Sequence, residues 1–571
     1  MTAESNVLVF SEKQKPWQDR ISALEVPVKG LKMILAAIHL MAIWSLIAPS
    51  FAANEPKYPF LRDASNYTIT SEYDYIVVGG GTAGCPLAAT LSQNFRVLLL
   101  ERGGVPYGNE NITRLERFET NLNDNSGPYR PAERFVSEDG VVNARARVLG
   151  GGSCLNAGFY SRASPKYVRS VGWDGELVNQ SYPWVERVVA FAPELQQFQR
   201  AVRDGLLEVG VTPYNGQTYD HILGTKIGGS IFDNDGNRHT AADLLGYSNP
   251  DTITVLLYAT AQYIVLRSEG NRPRAYGIVY KDSQGVEHTA NLKSVEGSEV
   301  ILSAGALGTP QLLMLSGIGP AAHLKSLNIP VRLDLPGVGE GMSDNPMNYF
   351  VIPSPQPVET SLIKVVGITP FGSFVECGSG GSDGLLLQKV IGPLSNGNLL
   401  LRSRDPLALP IVRFNYFAVQ ADLDRCVQGM RTIEKVVLSR SFAAFRFDNQ
   451  SLPSGGRVTG GGRNAICDCQ INGVAPDSCT SYCAANRAAL ERYCRQTVST
   501  IWHYHGGAQV GRVVDAQYKV MGADALRVVD GSTFNFSPGT NPQATVMMLG
   551  SFENSNGKET QIYNRVCDSL Q

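Results

Sequence analysis

The sequence predicts a mixed α/β protein built on a dinucleotide-binding βαβ unit, with a second lobe beside it. Three observations carry that reading. At 571 residues and 61.8 kDa the chain is several times the length of an average domain, so more than one lobe is expected. An apolar strand, a glycine-rich turn, a helix-spaced stretch and a second apolar strand ending in a carboxylate follow one another without interruption. Beyond them, β-like and helix-like stretches alternate with glycine-rich turns and no repeat period.

The first segment to justify is residues 33–48, an apolar run of 16 preceded by Lys29 and Lys32 and followed by Pro49-Ser50-Phe51-Ala52. It is shorter than the ~20 residues of a spanning helix, and Ser50-x-Ala52 resembles a small-residue cleavage site. Residues 1–52 therefore read as an N-terminal extension with a signal peptide, which predicts secretion and no stable membrane span. A signal anchor is the lesser alternative. The polar stretch before the run is long for such a leader, so either Met33 is the true start or the chain is extended.

The βαβ unit follows: DYIVVGGG is a short apolar strand running into glycines, TAGCPLAATLSQ has helical spacing, and FRVLLLE is the second strand. Further on, TITVLLYA and AYGIVYKD read as strands and PELQQFQRAVRDGLLEV as a helix. Gly/Ser-dense segments at 378–384 and 455–462 punctuate the interval 363–494, which holds no nucleotide-type motif. Much of that interval is assigned to a second domain or cap.

Composition narrows the function classes. Apolar residues are 43% and charged residues 18% of the chain, which excludes a disordered protein. Lys plus Arg is 50 against 52 Asp plus Glu, so there is no basic excess to neutralise phosphates, and nucleic acid is excluded as a partner. The 58 glycines follow no fixed period, which excludes collagen and points to tight turns and backbone-lined sites. Ten Cys and the sequons at Asn66, Asn111, Asn179, Asn449 and Asn535 suit an oxidising, glycosylating route. Cys467, Cys469, Cys479 and Cys483 have spacings that suggest zinc, but in a glycine-rich secreted loop they more often mean disulfides. No metal ligand is assigned.

Gly79-x-Gly81-x-x-Gly84 stands at the strand-to-helix turn. There glycines let the backbone approach a pyrophosphate, and the helix start offers unpaired N–H groups. Glu101 lies 22 residues after Gly79, at the end of the second strand, where a carboxylate can accept from the adenosine ribose hydroxyls. A purely structural glycine turn would have to explain strand, spacing and carboxylate together. A second cluster, RVLGGGSCLNAGFYSRAS at 147–164, adds backbone donors and Asn156. A third, GALGTPQLLMLSGIG at 305–319, again couples glycines to a helix-like segment.

These last two stretches resemble the signatures of the glucose-methanol-choline (GMC) oxidoreductases, FAD enzymes with a two-domain fold. WHYHGG at 502–507 and DGSTFNFSPGTNPQATVMMLG at 530–550 make the likeness strongest to the plant branch of HOTHEAD-like and mandelonitrile-lyase-like proteins, and it runs from about 75 to 550. The resemblance implies FAD rather than a nicotinamide. Gly79, Gly81, Thr82, Ala83, Gly84, Glu101 and Arg102 would hold the ADP part, with Val148, Gly152 and Ala261 adding to the site. Asn156, Ala157, Gly158, Phe159 and Trp502 would lie near the flavin, and Asp530, Gly531, Pro542 and Gln543 would complete it. Family members often carry Val where Ala261 stands, a position that meets adenine through its backbone.

The resemblance also implies a Rossmann-like FAD-binding domain from 70–165, 225–345 and 495–550. A cap on an antiparallel sheet would come from 166–224 and 346–494, and 551–571 would be an atypical tail. It implies a Cys426–Cys494 disulfide and leaves Cys85 and Cys154 as small buried residues beside the flavin loops. Of the seven His, only His503 falls on the family's catalytic position, where a neutral imidazole takes the hydroxyl proton of an alcohol while hydride leaves for flavin N5. His39, His221, His239, His288 and His323 read as surface or core residues, and His505 as structural.

The second member of the pair is Asn541, whose amide would hydrogen-bond the substrate oxygen. In the mandelonitrile lyases that position is a second His, and a Tyr stands two residues before the first His. Here Asn541 and Ile501 stand instead, which favours redox chemistry over cyanide elimination. The expected activity is oxidation of a small-molecule primary alcohol to an aldehyde by a monomeric enzyme, and the branch suggests a long-chain ω-hydroxy fatty acid. A hydroxynitrile lyase is the alternative. So is an inactive FAD-binding relative, because several dozen residues found in relatives are missing between VECGSGGSDG and LLLQKVIGPLSNG, and SFENSNGKETQIYNRVCDSLQ departs from the family after Gly550.

Overall fold

Apolar runs that can be buried on both faces form the centre of the molecule. In the computed structural model, which describes residues 58–123, 130–270, 272–447 and 487–551, six parallel strands make one sheet. In spatial order they are Leu61–Asp63, Ile253–Leu257, Val97–Leu100, Tyr75–Val78, Glu299–Leu302 and Leu526–Val528. Their sequences are near-continuous Val, Ile and Leu, as a parallel sheet covered on both faces requires. Val77, Leu98, Leu99 and Ile301 are fully buried, each worth about 1.5–3 kcal/mol of apolar transfer. This is the predicted mixed α/β fold, with the βαβ unit where the sequence put it.

Register decides where a ligand can sit. Val78 pairs with Leu100 on one side and Leu302 on the other, so Gly79, Glu101 and Ser303 emerge together at the carboxyl edge of the sheet. That edge is where open α/β sheets bind ligands. Helix Gly84–Leu91 covers one face together with Gln543–Gly550, and the contact is close enough that a Cβ on Gly550 would stand 2.3 Å from the Ala83 carbonyl oxygen.

TITVLLYA forms one strand, as read, and it ends at a sharp turn. Tyr258 takes a positive φ of 58° and turns the chain from Ile253–Leu257 in the parallel sheet into Thr260–Glu269, which pairs antiparallel with Arg272–Lys281. The helix read in PELQQFQRAVRDGLLEV spans Gln197–Glu208, starting after the proline.

A second sheet orders Met347–Ser361, Ser373–Val390, Val365–Ile368, Gly224–Ile227 and Tyr214–Gln217. Its pairs are antiparallel except the last. Helices Gln197–Glu208, Gln420–Leu438 and Arg487–Gln496 pack against it through Phe198, Leu206, Met430, Ile433 and Leu490. Cys426 and Cys494 are disulfide-bonded across this core, with an S–S distance of 2.04 Å.

The Gly/Ser-dense 378–384 segment, read as punctuation, lies inside the single strand Ser373–Val390. Opposite it, the pairing with Met347–Ser361 slips twice, between Pro353 and Ser361. Gly384 belongs there sterically, because a Cβ would stand 2.3 Å from the Phe198 ring. No helix among the described residues is long and apolar enough to cross a membrane. The signal-peptide run, the four cysteines from Cys467 to Cys483, Asn449, the 455–462 segment and 552–571 lie outside the described residues.

Candidate active site

The first glycine loop is shaped by close backbone approaches. Gly79 has φ +107°, and a Cβ there would lie 2.5 Å from the Ser303 carbonyl oxygen; one on Gly84 would lie 1.9 Å from the Gly79 carbonyl oxygen. Gly81 is different, since its nearest neighbours would be 3.9 Å from a Cβ, so it faces open space. The second glycine loop closes on the first: Gly150 N–H donates to the Gly80 carbonyl at 2.7 Å, and a Cβ on Gly151 would come within 2.7 Å of Gly81 Cα. Among the described residues no acceptor meets the N–H of Gly81, Thr82 or Ala83, which leaves them free for an anion at the helix start.

Glu101 anchors this cradle. Its carboxylate accepts the Gly80 N–H at 3.0 Å and the Gly103 N–H at 2.7 Å, and burial pushes its acidity down. Arg102 donates to the Ala146 carbonyl at 2.9 Å and pairs with Glu133 at 3.2 Å. Glu133 also holds Arg145 at 2.6 Å.

Asn156 and Gln543, far apart in sequence, are bonded amide to amide at 2.8 Å, and Gln543 donates on to the Phe159 carbonyl at 2.7 Å. Asp530 accepts from Gly305 N–H at 2.8 Å, Thr309 hydroxyl at 2.6 Å and Ser532 N–H at 2.8 Å. It thereby ties the third glycine cluster to the segment that carries Asn541.

His503 is buried, 7% exposed. Its backbone N–H donates to Asp344 at 3.0 Å, and the same carboxylate accepts from Tyr416 at 2.5 Å and Thr500 at 2.7 Å. On the ring, Nδ1 meets the Asn345 amide nitrogen at 3.0 Å, and Nε2 meets the Asn541 amide nitrogen at 3.3 Å. Burial, then Lys389 and His505, hold the His503 pKa well below its ordinary value, so the ring is neutral at ordinary pH. Trp502 supplies the turn with φ +59°, a conformation costly for a bulky side chain, and its N–H is held by the Thr500 hydroxyl at 2.8 Å.

One cavity is lined by His503, Asn541 and every expected cofactor residue except Gly84. Gly84 instead packs beneath the loop, against Gly79 and Ser303. His505 is off the cavity, buried, its backbone paired with Ser343. Cys85 and Cys154 are buried free thiols beside the glycine loops.

Several participants escaped the sequence reading. Asp344 and Asn345 lie 159 and 158 positions before His503 and carry no spacing signal. Arg145, Gln311 and Tyr504 line the cavity as well. The third glycine cluster was visible as a motif, but its first four residues, Gly305 to Gly308, were not assigned to the site they line.

A glycine-loop cradle at the carboxyl edge of a parallel sheet, joined to a buried His paired with a half-buried Asn, defines a dinucleotide-dependent oxidoreductase. The chain belongs to the GMC oxidoreductase family: the family's N-terminal part matches residues 73–347 and its C-terminal part 393–550. It is 45% identical to Protein HOTHEAD of Arabidopsis thaliana over 92% of this chain and 97% of that protein. It is 48% identical to an (R)-mandelonitrile lyase-like protein of the same plant over 86% of this chain and 91% of that one. With Sinalpyl alcohol oxidase Nec3 of Nesocodon mauritianus it shares 42% over 91% and 94%. The fold matches the crystal structure of pyridoxine 4-oxidase from Mesorbium loti with TM-score 0.69 and 22% identity, covering 84% of this chain and 97% of that one. FAD is the cofactor. The free N–H groups of the glycine loop, the open space at Gly81 and the buried Glu101 carboxylate fit it.

Proposed function

We propose that the chain oxidises a primary alcohol to an aldehyde, with His503 taking the hydroxyl proton and Asn541 orienting the oxygen. The observation that carries this reading is the His503–Asn541 pair, 3.3 Å apart in the cavity that both glycine loops line. Gly81, Thr82, Ala83, Glu101 and Arg102 would hold the ADP part of FAD, and Asn156 to Phe159, Trp502 and Gln543 its flavin end. When bound, FAD supplies the acceptor for the hydride that leaves the alcohol carbon. His503, neutral and dry, accepts one proton. The Asn541 amide fixes the oxygen so that its C–H bond faces the flavin side. Burial of His503 limits water's competition for the same hydrogen bonds.

For the substrate we infer a long-chain ω-hydroxy fatty acid. Supporting it is a large groove on the far side of Asn345, whose wall includes Ser537, the hydroxyl bonded to that amide. Ile368, Phe371, Ile391 and Phe536 give it an apolar lining; Lys166, Arg425 and Arg512 line it too, and no carboxylate does among the described residues. An apolar chain ending in an anion suits that combination. We place the enzyme outside the cell as a glycosylated monomer, the first two parts resting on residues 33–48 and on exposed sequons at Asn66 and Asn179.

The test offers the purified flavoprotein an ω-hydroxy fatty acid and, separately, mandelonitrile. Aldehyde formed from the acid with no benzaldehyde from mandelonitrile is the expected outcome. Cyanide release without flavin reduction would replace this reading by a lyase.

A further inference from the structure

His503 is held by two amides, and the orientation of one is settled by its other neighbours. The Gly392 N–H, which can only donate, points at Asn345 Oδ1 from 3.3 Å. Ser537 gives its hydroxyl proton to the Gly539 carbonyl, which can only accept, at 3.1 Å, so its Oγ is left to accept from Asn345 Nδ2 at 3.2 Å. Both constraints put the Asn345 NH2 group on the side of Ser537 and His503. It therefore donates to His503 Nδ1 at 3.0 Å.

We propose that Asn345 is a positioning residue that sets the protonation of His503: it keeps Nδ1 as an acceptor, places the single imidazole proton on Nε2, and opposes a second proton on the ring. A neutral imidazole carries one N–H, so an accepting Nδ1 leaves Nε2–H facing Asn541 and the cavity. Asn541 Oδ1 is a buried oxygen without a hydrogen-bond partner, and a half-turn of that amide gives it the Nε2 proton. At rest the pair thus presents a donor to a substrate oxygen.

Proton removal needs the other arrangement. For Nε2 to take the alcohol proton, the ring proton must sit on Nδ1, and Asn345 must turn its Oδ1 toward it. That turn breaks the Gly392 N–H contact and sets the Asn345 NH2 against that donor. Ser537 then has to redirect its proton from Gly539 to Asn345. Once Nε2 is protonated by the substrate, the imidazolium keeps both protons, one held by Asn345 Oδ1 and one beside the product oxygen. Gly392 and Ser537 both line the adjoining groove, so the groove wall and the basicity of His503 share one amide.

The charged and titratable groups around His503 are few. Lys389 and its buried partner Glu376 come from the strand Ser373–Val390, Asp344 from the segment before Met347, and His505 from the same turn; the Ser537–Asn541 segment brings none. The proposal rests on the reading of His503 as the base, and its test is chosen to separate the two. Flavin reduction by an alcohol is followed anaerobically against pH in the wild type, Asn345→Asp and Asn345→Ala, with His503→Ala as control.

An aspartate accepts from Nδ1–H and favours the doubly protonated ring. The acid limb of the reduction rate should rise by about one pH unit or more in Asn345→Asp. It should rise less in Asn345→Ala, which removes the opposing donor without supplying an acceptor and serves alone if the aspartate variant loses its flavin. Bound flavin with an unmoved acid limb in Asn345→Ala overturns the proposal while leaving His503 as base. Undiminished reduction in His503→Ala overturns the underlying reading instead.

Discussion

His503 and Asn541 stand 38 positions apart in sequence and meet at 3.3 Å between imidazole Nε2 and the amide nitrogen. Neither could be placed there by local structure alone. His503 rides on a strained turn pinned by Asp344, and Asn541 precedes the helix Gln543–Gly550, which is locked to the flavin loop through Asn156. Replacing Asn541 by Ala removes a hydrogen bond to the substrate oxygen and the Nε2 contact, while Asp344 and Asn345 still hold His503. Flavin reduction should slow by about tenfold or more, since one such bond is worth about 0.5–1.5 kcal/mol and more in a dry site. Stopped-flow absorbance on flavin-loaded protein measures it.

Glu101 holds two backbone donors of the cofactor cradle. Glu101→Ala strands the buried Gly80 and Gly103 N–H groups, at about 1–3 kcal/mol each. FAD affinity should fall at least tenfold in a flavin titration followed by protein fluorescence. An unchanged affinity would remove Glu101 from the site.

Two glycines five residues or fewer from Gly79 should fail differently. Gly84→Ala drives a Cβ to 1.9 Å from the Gly79 carbonyl oxygen, so it should damage folding, read as loss of folded protein on expression. Gly81→Ala meets nothing closer than 3.9 Å in the protein. It should fold with a native circular dichroism spectrum and bind FAD poorly, because the new methyl occupies cofactor space.

The Cys426–Cys494 bond closes a loop of 68 residues. The chain-entropy relation gives such a crosslink about 4 kcal/mol. The Cys426→Ser/Cys494→Ser double variant should unfold at clearly lower denaturant than wild type, measured by fluorescence.

Asp344 sets a pH dependence with a definite sign. Burial pushes its carboxyl up to about 6, against an ordinary 3.8, even though Tyr416, Thr500 and the His503 N–H all donate to it. Between those values the folded chain keeps a proton that the unfolded chain has lost. This group's contribution therefore falls as pH rises from about 4 to about 6, by about 3 kcal/mol, and is flat above. The difference in stability between wild type and Asp344→Asn should change across that window and not between pH 7 and 8, in denaturant titrations.

What the sequence revealed tracks how local each signal is. The βαβ unit was legible because strand, glycine turn, helix and Glu101 fall within a single short stretch and each has a steric or hydrogen-bonding reason. The cavity-lining residues from Asn156 to Gln543 were legible through the family likeness of contiguous motifs. Gly84 was expected on the cofactor; the structure sets it off the cavity wall, packed against the Gly79 carbonyl, a placement that spacing does not reveal. Asp344 and Asn345 were invisible, because what makes them matter is contact with a turn more than 150 residues away. The strand through 378–384 was hidden by its glycines, one of which exists to admit the Phe198 ring.

The visible spectrum of the purified protein, recorded anaerobically before and after an ω-hydroxy fatty acid or a benzylic alcohol is added, tests the central claim most directly. The account predicts an oxidised-flavin band that bleaches with the alcohol in the wild type and persists in His503→Ala. A bound flavin that stays oxidised in the wild type with every alcohol offered would contradict it.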